Sequence, residues 1–453
     1  MSFVAWMAAI GTLLLTMSLI SGWIRRLPIT TYAVYMLVGL AAGPAALNLV
    51  RIDIVADANW LARLTEVTLV VSLFIGGLKL RLPFRDPSWR CALRLASVAM
   101  ILGIGGVAVA MHIVFHLPWS LSLIVGAALA PTDPVLTSTV SVDDASDRDG
   151  LRVALSGEAG LNDGAALPFL MLGLAAVATG FSWPRTLHWL AIDALWGIAA
   201  GFCIGYGLGW GVGRVIAALQ TRRWTTVSTD LLTLALMVLA YAAADVTHAL
   251  GFIAAFAAGL GLRGAEKAIV SQHAGAIEGD EEAAARGIPA ETLVLKYADG
   301  ASTDDAPPQP ALEVGKVVFG ALSFGDTLER LLGTLMMLLL GVLLADNWKL
   351  VGLVVAILLF ALIRPLSVAL ATPGLGIPWQ RRALIGWLGI RGIGSLNYLT
   401  YALAHGLAQN PHARMIAAIV VTCVGASVVV HGASAGPLLA WRRRKLEAIA
   451  ADN

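Results

Sequence analysis

The chain of 453 residues is 58% hydrophobic and only 13% charged, with a formal net charge of +2. A soluble domain carries about 25% charged residues, so this composition excludes an ordinary soluble protein and indicates a membrane protein. The near-neutral charge gives no support for nucleic-acid binding, and no Walker sequence or other cofactor motif is present. Cys91, Cys203 and Cys423 lie too far apart for a metal-binding or disulfide pattern. No cofactor is expected.

Apolar runs long enough to cross a bilayer recur along the whole chain, since a helical crossing takes about 20 residues. In the first run the positive charges Arg25 and Arg26 follow the apolar stretch, the reverse of a secretory signal, so we expect a retained helix. The chain is therefore predicted to be an all-α polytopic membrane protein. The thirteen predicted spans are 3–22, 29–47, 61–78, 95–115, 119–140, 151–179, 187–213, 228–247, 249–263, 325–345, 348–370, 383–406 and 412–437.

Lys and Arg are concentrated in alternate connecting segments, and Arg364 is counted with Arg381 and Arg382 in one of them. By the positive-inside rule this bias places the N-terminus outside and the C-terminus in the cytoplasm. A multi-pass protein of the inner (plasma) membrane is expected. The predicted regions are a membrane domain over 1–263 with the first nine helices, a polar and partly disordered cytoplasmic insertion over 264–324, a second membrane part over 325–440, and a basic cytoplasmic tail over 441–453.

The seventh span carries a glycine at every fourth position: Gly197, Gly201, Gly205, Gly209 and Gly213. Small residues at this spacing lie on one face and let two helix backbones approach closely in lipid. We expect this face to pack against a neighbouring helix, and a role in dimerisation is the alternative.

Ionisable residues within spans cost about 2.5–3.5 kcal/mol each on insertion scales and usually serve a function. Four such residues are Asp133, Glu158, Asp163 and Arg391. Glu66 is a fifth candidate, for which a position at the outer interface and a place on an ion pathway both stay open. Arginine keeps its proton and needs a carboxylate partner, so Arg391 is predicted to pair with Glu158. The alternative is an arginine that extends to a helix end.

Asp133 lies in the segment Ala130-Pro131-Thr132-Asp133-Pro134. Two prolines this close cannot both fit in an unbroken helix. Apolar runs precede and follow the segment, which favours an interrupted helix within the membrane over a loop at its end. Free carbonyls beside a carboxylate suit a cation site in a transporter.

The next span begins with Ser156 and continues from Glu158 to Gly164. On a helix, Glu158 and Asn162 share a face, Asp163 lies about 100° further round, and Ser156 lies two turns before Asp163 on its side. Two carboxylates at this depth must be paired, protonated or bound to an ion.

Three segments resemble motifs of the sodium/proton exchanger branch of the monovalent cation:proton antiporter superfamily. Thr132-Asp133-Pro134 resembles the broken-helix motif, Glu158 to Gly164 resembles the Asn-Asp ion-binding helix, and Gly389-Ile390-Arg391-Gly392 resembles the buried-arginine helix. Leu73 to Leu78 is similar to the end of the family's third helix, and Phe324 to Arg330 to the helix after its variable loop. The resemblance covers about 3–263 and 320–440.

The resemblance implies a 13-helix fold of inverted repeats, with two interrupted helices crossing at mid-membrane, usually in a homodimer. It implies a secondary transporter, not an enzyme, that exchanges a monovalent cation (Na⁺, also Li⁺) for H⁺ by alternating access. Asp163 would bind the proton and the cation in turn, with Asp133 and Thr132 as further ligands of the transported ion. Asn162, Glu158 and Arg391 would form a supporting network, joined by Glu66, and an Asn before the Asp implies electroneutral 1:1 exchange.

The chain departs from the family pattern at Ala159, where several members carry a hydroxyl that contributes an oxygen to the ion. Hard cations prefer oxygen ligands, so Ser156 or water would have to replace it. This leaves K⁺/H⁺ exchange at the same site as an alternative. A cation channel and a membrane-embedded aspartyl protease using Asp133 and Asp163 are more remote alternatives.

Overall fold

The computed structural model describes residues 30–133, 149–220, 228–273 and 309–451, with the isolated residues 4, 11, 15, 136, 142, 147, 289 and 292. Every regular element in this part of the chain is helical, which confirms the predicted fold class. In chain order the helices are α1 (Thr31–Ala42), α2 (Ala58–Lys79), α3 (Pro87–Phe115), α4 (Trp119–Leu129), α5 (Gly150–Thr179), α6 (Trp183–Leu219), α7 (Thr229–Val246), α8 (Gly251–His273), α9 (Gln309–Asn347), α10 (Leu350–Ala371), α11 (Trp379–Trp387), α12 (Ile393–Ala404) and α13 (Ala413–Ala451).

Eight of the helices in the described ranges are long and apolar enough to cross a membrane. The second to thirteenth predicted spans each overlap one of the thirteen helices or, for 383–406, the pair α11 and α12. The first predicted span, 3–22, lies outside the described residues, and so does much of 119–140 beyond Asp133.

Both ends of the predicted insertion, 264–324, are helical, because α8 continues to His273 and α9 begins at Gln309. Two charged side chains near the start of this segment are paired inside the protein. Glu266 is 0% exposed and Arg263 is 1% exposed. Glu266 accepts from Arg81, two residues beyond the end of α2, at 3.3 Å, and Arg263 donates to the carbonyl of Leu78 at 2.7 Å. Most of 274–308 lies outside the described residues.

The glycine face of α6 packs against α8, as predicted. A Cβ atom added to Gly205 or Gly209 would collide with the backbone carbonyl of Ala254 or Ala258, and one on Gly201 would lie 2.7 Å from the carbonyl of Leu250. Only a residue without a side chain lets the two backbones come this close.

Two further helix pairs use glycines in a reciprocal way. In the α1–α9 pair, Gly39 faces a carbonyl of α9 and Gly341 faces a carbonyl of α1. In the α2–α8 pair, Gly77 and Gly259 face each other's helix in the same manner. These contacts hold α1, α2, α8 and α9 together as a closely packed group.

Helix α5, which carries the candidate residues, is anchored at its first turn. Asp149 is the N-cap residue, and its carboxylate accepts from the Leu151 N–H at 2.9 Å. The same carboxylate accepts from two nitrogens of Arg442 on α13, one of them at 2.8 Å. Burial raises the pKa of Asp149, but the hydrogen bonds from Arg442 and Leu151 outweigh it and hold the pKa below its usual value.

Replacing Asp149 by Asn should destabilise the protein by about 1–2 kcal/mol at neutral pH, because a charged N-cap and its ion pair are lost. A carboxyl whose pKa is lowered by folding contributes stability above its unfolded pKa and loses it as the pH falls through the folded value. The difference in thermal midpoint between the parent protein and Asp149→Asn should therefore be constant from about pH 5 to 8 and shrink below about pH 4. A difference independent of pH would contradict the ion-pair contribution.

Candidate functional site

The site forms where the end of α4 meets the break between α11 and α12. Helix α4 stops at Leu129, just before Pro131, and residues 388–392 are not helical. The Asp133 N–H donates to the carbonyl of Ile390 at 2.9 Å, and the Arg391 guanidinium donates to the carbonyl of Ala130. The backbone groups freed by each interruption are thus satisfied by the other one, as a buried chain break requires.

The carboxylate of Asp133 caps the start of α12. One of its oxygens accepts from the N–H of Ile393 and, at 3.3 Å, from that of Gly394, and the other accepts from Leu136 at 3.1 Å. A helix N-terminus carries about half a positive charge, so backbone dipoles offset the charge of Asp133. A Cβ on Gly392 would collide with this carboxylate, which explains the glycine there.

Helix α5 joins the crossing through Asn162 and Asp163. The Asn162 side-chain amide donates to the Thr132 hydroxyl at 2.9 Å. A Cβ on Gly394 would lie 2.7 Å from the Asp163 carboxylate, so Asp163 lies directly against the first turn of α12. The structure therefore brings together Thr132, Asp133, Asn162, Asp163 and Arg391, as predicted.

Several buried oxygens at this point have no hydrogen-bond partner among the described residues. They are both carboxylate oxygens of Asp163, the side-chain oxygen of Asn162 and the hydroxyl groups of Ser395 and Tyr398. Asp163 is 0% exposed, and a buried ionised carboxylate with no partner is strongly unfavourable. Such a group requires a bound proton or a bound cation.

Sequence reasoning missed Ser395 and Tyr398. They lie three residues apart on α12 and so share a face of that helix, and Tyr398 is in electrostatic contact with Asp163. Their sequence alone gave no signal, because hydroxyl residues are common on the packed faces of membrane helices. Ser395 and Tyr398 add two oxygens that an ion at Asp163 could use.

The predicted pair between Arg391 and Glu158 is wrong. Glu158 is paired with Arg364 of α10, through two hydrogen bonds of 2.6 and 2.8 Å, and both side chains are buried. Arg391 instead donates to Ala130, because the helix break supplies free carbonyls, and its backbone N–H donates to Ser427 at 2.8 Å. Arg364 had been counted in a cytoplasmic connecting segment, although it falls inside the predicted span 348–370.

Two other candidate residues lie apart from the crossing. The hydroxyl of Ser156 accepts from the Val142 N–H at 3.0 Å, and seven helical residues separate it from Asp163, a rise of about 10 Å. Glu66 accepts from the hydroxyl of Tyr241 on α7 and from Arg63 at 3.0 Å. Glu66 therefore links α2 to α7, and neither residue contacts the group around Asp163.

Comparison with known families decides the class of this protein. The family model described as "Sodium/hydrogen exchanger, transmembrane" matches residues 12–276 and 316–441. The chain belongs to the sodium/hydrogen exchanger family. The unmatched segment falls within the predicted insertion, and the matched ranges contain every residue of the crossing.

Curated relatives and solved structures of this exchanger family agree with the assignment. The "K(+)/H(+) antiporter NhaP2" of Shewanella sp. (strain ANA-3) is 25% identical over 94% of this chain. The protein of the same name from Shewanella baltica (strain OS223) is 29% identical over 46% of it. The matches span 65% and 35% of those relatives' own lengths. The sodium proton antiporter MjNhaP1 of Methanocaldococcus jannaschii has the same fold, with a TM-score of 0.67 at 18% identity over 97% of this chain and 98% of that one.

The family and fold are those of cation/proton antiporters in membranes, and not those of enzymes. The comparisons give no support to the aspartyl-protease alternative. They confirm the exchanger fold that was expected from the three motifs. Among the described residues of the crossing, the carboxylates of Asp133 and Glu158 have fixed partners, whereas that of Asp163 has no hydrogen-bond partner.

Replacing Arg364 by Met should destabilise the exchanger by about 3–5 kcal/mol, because Glu158 would be left buried without a counter-charge. The double variant Arg364→Met with Glu158→Gln should recover a large part of that loss. Unfolding of the detergent-solubilised protein would measure both. Arg51→Met, at an exposed pair with Asp346, is the control and should change stability by less than about 1 kcal/mol. Equal losses in the single and double variants would contradict the pairing.

Proposed function

We propose that this protein is a secondary antiporter that exchanges a monovalent cation for protons by alternating access. The observation that carries the proposal is the buried Asp163 carboxylate, whose two oxygens have no partner among the described residues. One carboxylate of this kind can hold H⁺ or a cation, but not both. When access to it alternates between the two sides, the gradient of either ion can drive the other.

The charges around Asp163 support an electroneutral exchange of one cation for one proton. Asp133 is offset by the N-terminus of α12, and Glu158 by Arg364. Asn162 beside Asp163 carries no charge. Asp163 is therefore the one carboxylate at the crossing whose charge changes partner during a cycle, so each cation that binds displaces one proton.

Na⁺ is the substrate that we propose first, with Li⁺ as a second ion at the same site. Oxygen ligands suit such hard cations, and Asp163, Asn162, Ser395 and Tyr398 supply oxygens that have no described partner. The neighbouring Thr132 hydroxyl accepts from Asn162 and adds another. These groups compensate for Ala159, which contributes no ligand.

K⁺ is the second candidate, and the curated relatives carry its name. The relative that aligns with 94% of this chain is named a K(+)/H(+) antiporter, whereas the structural match of TM-score 0.67 is named a sodium proton antiporter. Exchange measured separately with Na⁺ and with K⁺ distinguishes these two candidates.

We further propose an inner-membrane protein with the N-terminus outside and the C-terminus in the cytoplasm, which functions as a homodimer. The positive-inside bias supports the orientation. The crossing is tied to α5 through Asn162 and Thr132, to α10 through Glu158 and Arg364, and to α13 through Arg391 and Ser427. We expect these helices to move as one unit relative to the glycine-packed group of α1, α2, α8 and α9.

Replacing Asp163 by Asn should abolish exchange, because an amide can neither release a proton nor balance the charge of a cation. The measurement is cation-driven proton flux in everted vesicles or proteoliposomes, with the unfolding midpoint as a check on folding. Asp230→Asn, which alters an exposed residue at the start of α7, should leave exchange unchanged. Full activity in Asp163→Asn would refute the role of Asp163.

Exchange in proteoliposomes with Na⁺, Li⁺ or K⁺ across a pH series should give the lowest half-saturating concentration with Na⁺. The rate should not depend on an imposed membrane potential, since a 1:1 exchange moves no net charge. Flux with K⁺ and none with Na⁺ would establish the second candidate. A potential-dependent rate would contradict the proposed stoichiometry, and flux far faster than a carrier cycle would indicate a channel.

A further inference from the structure

A buried histidine on α13 has no role in the site described above. His431 is 1% exposed, and it follows by one turn Ser427, which is 0% exposed. Its ring packs against Phe360 of α10 and against Trp387, the last residue of α11, with ring centroids 4.7 and 5.6 Å apart. Burying an imidazole costs free energy unless its ring nitrogens are hydrogen-bonded, so packing alone gives no reason for a histidine here.

His431 belongs to a chain of hydrogen bonds that begins in the break between α11 and α12. The backbone N–H of Arg391, inside the break, donates to the Ser427 hydroxyl at 2.8 Å. That hydroxyl still has its own proton to donate, and Nδ1 of His431 lies 3.1 Å from it. Nδ1 also lies 3.1 Å from the carbonyl of Ser427, to which the other tautomer would donate. The neutral ring with its proton on Nε2 is the form that completes the chain from Arg391 to His431.

The same face of α13 also contacts the other end of the break. Ser434 follows His431 by three residues and so shares its face, and its hydroxyl accepts from the ring N–H of Trp387 at 2.9 Å. Ile390, the residue before Arg391, lines a small cavity together with His431. Contacts from one helix face therefore reach Trp387 at the end of α11 and both Ile390 and Arg391 within the break.

The segment held by these contacts shapes the ion site. The carbonyl of Ile390 accepts from the Asp133 N–H at 2.9 Å, and the Asp133 carboxylate accepts from the first N–H groups of α12. Gly394 in that first turn lies against the carboxylate of Asp163. A shift of residues 390–391 would therefore move Asp133 and the turn that faces Asp163.

We propose that His431 is a positioning residue for the transported cation, which acts through Ser427 to hold the break between α11 and α12 in its ion-binding shape. This inference rests on the proposed antiport function and adds residues of α13 to it. A site that is already ordered before the ion arrives binds it more tightly, because the cost of ordering is not paid on binding. His431 supplies part of that order through the hydroxyl of Ser427 and the backbone of Arg391.

Loss of the Nδ1 acceptor should weaken cation binding more than proton binding. A cation needs several oxygens at set positions, whereas a proton binds to one carboxylate oxygen of Asp163. In His431→Phe, which keeps an aromatic ring without an acceptor, the half-saturating cation concentration should rise by roughly three- to tenfold, the effect of losing one buried hydrogen bond. The maximal rate should stay as in the parent protein, and so should the proton dependence measured at the same multiple of the half-saturating concentration.

The experiment measures exchange in proteoliposomes against cation concentration for the parent protein and four variants. Besides His431→Phe these are His431→Asn, Ser427→Ala and the double variant of Ser427→Ala with His431→Phe. The Asn variant places an amide oxygen where Nδ1 lies and should restore the parent affinity to within about twofold. Ser427→Ala should weaken cation binding at least as much as His431→Phe does. The double variant should equal Ser427→Ala alone, because both changes break the same chain.

His405→Phe is the matched control. His405 lies at the exposed end of α12, and its Nδ1 contacts the carbonyl of Tyr401, four residues earlier, at 2.8 Å. Its ring also stacks on the Tyr401 ring, with centroids 3.9 Å apart. The local contacts of His405 therefore match those of His431, without a link to the break. This change should leave the half-saturating concentration unaltered.

An unchanged half-saturating concentration in His431→Phe would overturn the inference, and so would an Asn variant as weak as the Phe variant. Effects that multiply in the double variant would overturn it as well, because they would show two independent contributions. If His431→Phe does not fold, Ser427→Ala decides, and parent-like cation affinity in that variant would refute the inference. The proposed function fails separately: in that case the parent protein itself shows no cation-driven proton flux.

Discussion

The structure depends on one electrostatic constraint: a carboxylate can stay ionised in a low-dielectric interior only if its charge is balanced. Around Asp163 the protein gives the other carboxylates permanent partners, and the buried arginine Arg391 a fixed hydrogen bond. Asp133 receives backbone N–H groups from α12, Glu158 receives the guanidinium of Arg364, and Arg391 donates to a carbonyl released by the break in α4. Asp163 has no such partner among the described residues, as is required of a site that binds a proton and a cation in turn.

The two helix breaks can lie within a membrane because backbone groups of each are hydrogen-bonded to the other. A break exposes N–H and C=O groups that lipid cannot satisfy. Here the break after α4 and the break between α11 and α12 satisfy each other, through Asp133 N–H to Ile390 and Arg391 to Ala130. The same contacts place a helix N-terminus beside Asp133 and the first turn of α12 beside Asp163. Structural need and chemical function are therefore met by the same hydrogen bonds.

Much of the fold could be predicted from the sequence, because long apolar runs bounded by charged and turn residues indicate membrane-spanning helices. The glycine face of α6 was also predictable, since a repeat of four residues places the glycines on one helix face and favours close helix packing. The crossing residues Thr132, Asp133, Asn162, Asp163 and Arg391 were identifiable because polar groups in apolar runs are conspicuous.

The partners of those residues could not be predicted in the same way. Glu158 is bound to Arg364, which is 206 positions away in the chain, and nothing in the local pattern distinguishes that arginine from Arg391. Ser395 and Tyr398 are ordinary residues for a helix, and only the position of Gly394 against Asp163 makes them part of the site. The contacts of Glu266 with Arg81 and of Arg263 with Leu78 also join residues that are 185 positions apart. Pairing in three dimensions, and not residue type, separates a fixed charge from a titrating one.

The distinction between fixed charges and the titrating Asp163 also suggests how ion preference could change within one fold. In the proposed mechanism, the fixed pairs set the net charge of the crossing, whereas the neutral oxygens of Asn162, Ser395, Tyr398 and Thr132 set how closely an ion can be surrounded. The two properties lie on different residues. Ala159 alters the second and leaves the first intact. A family in which relatives carry the names of K⁺ and Na⁺ antiporters on one architecture is consistent with this division, because ligand geometry can vary while the charge balance that permits exchange is kept.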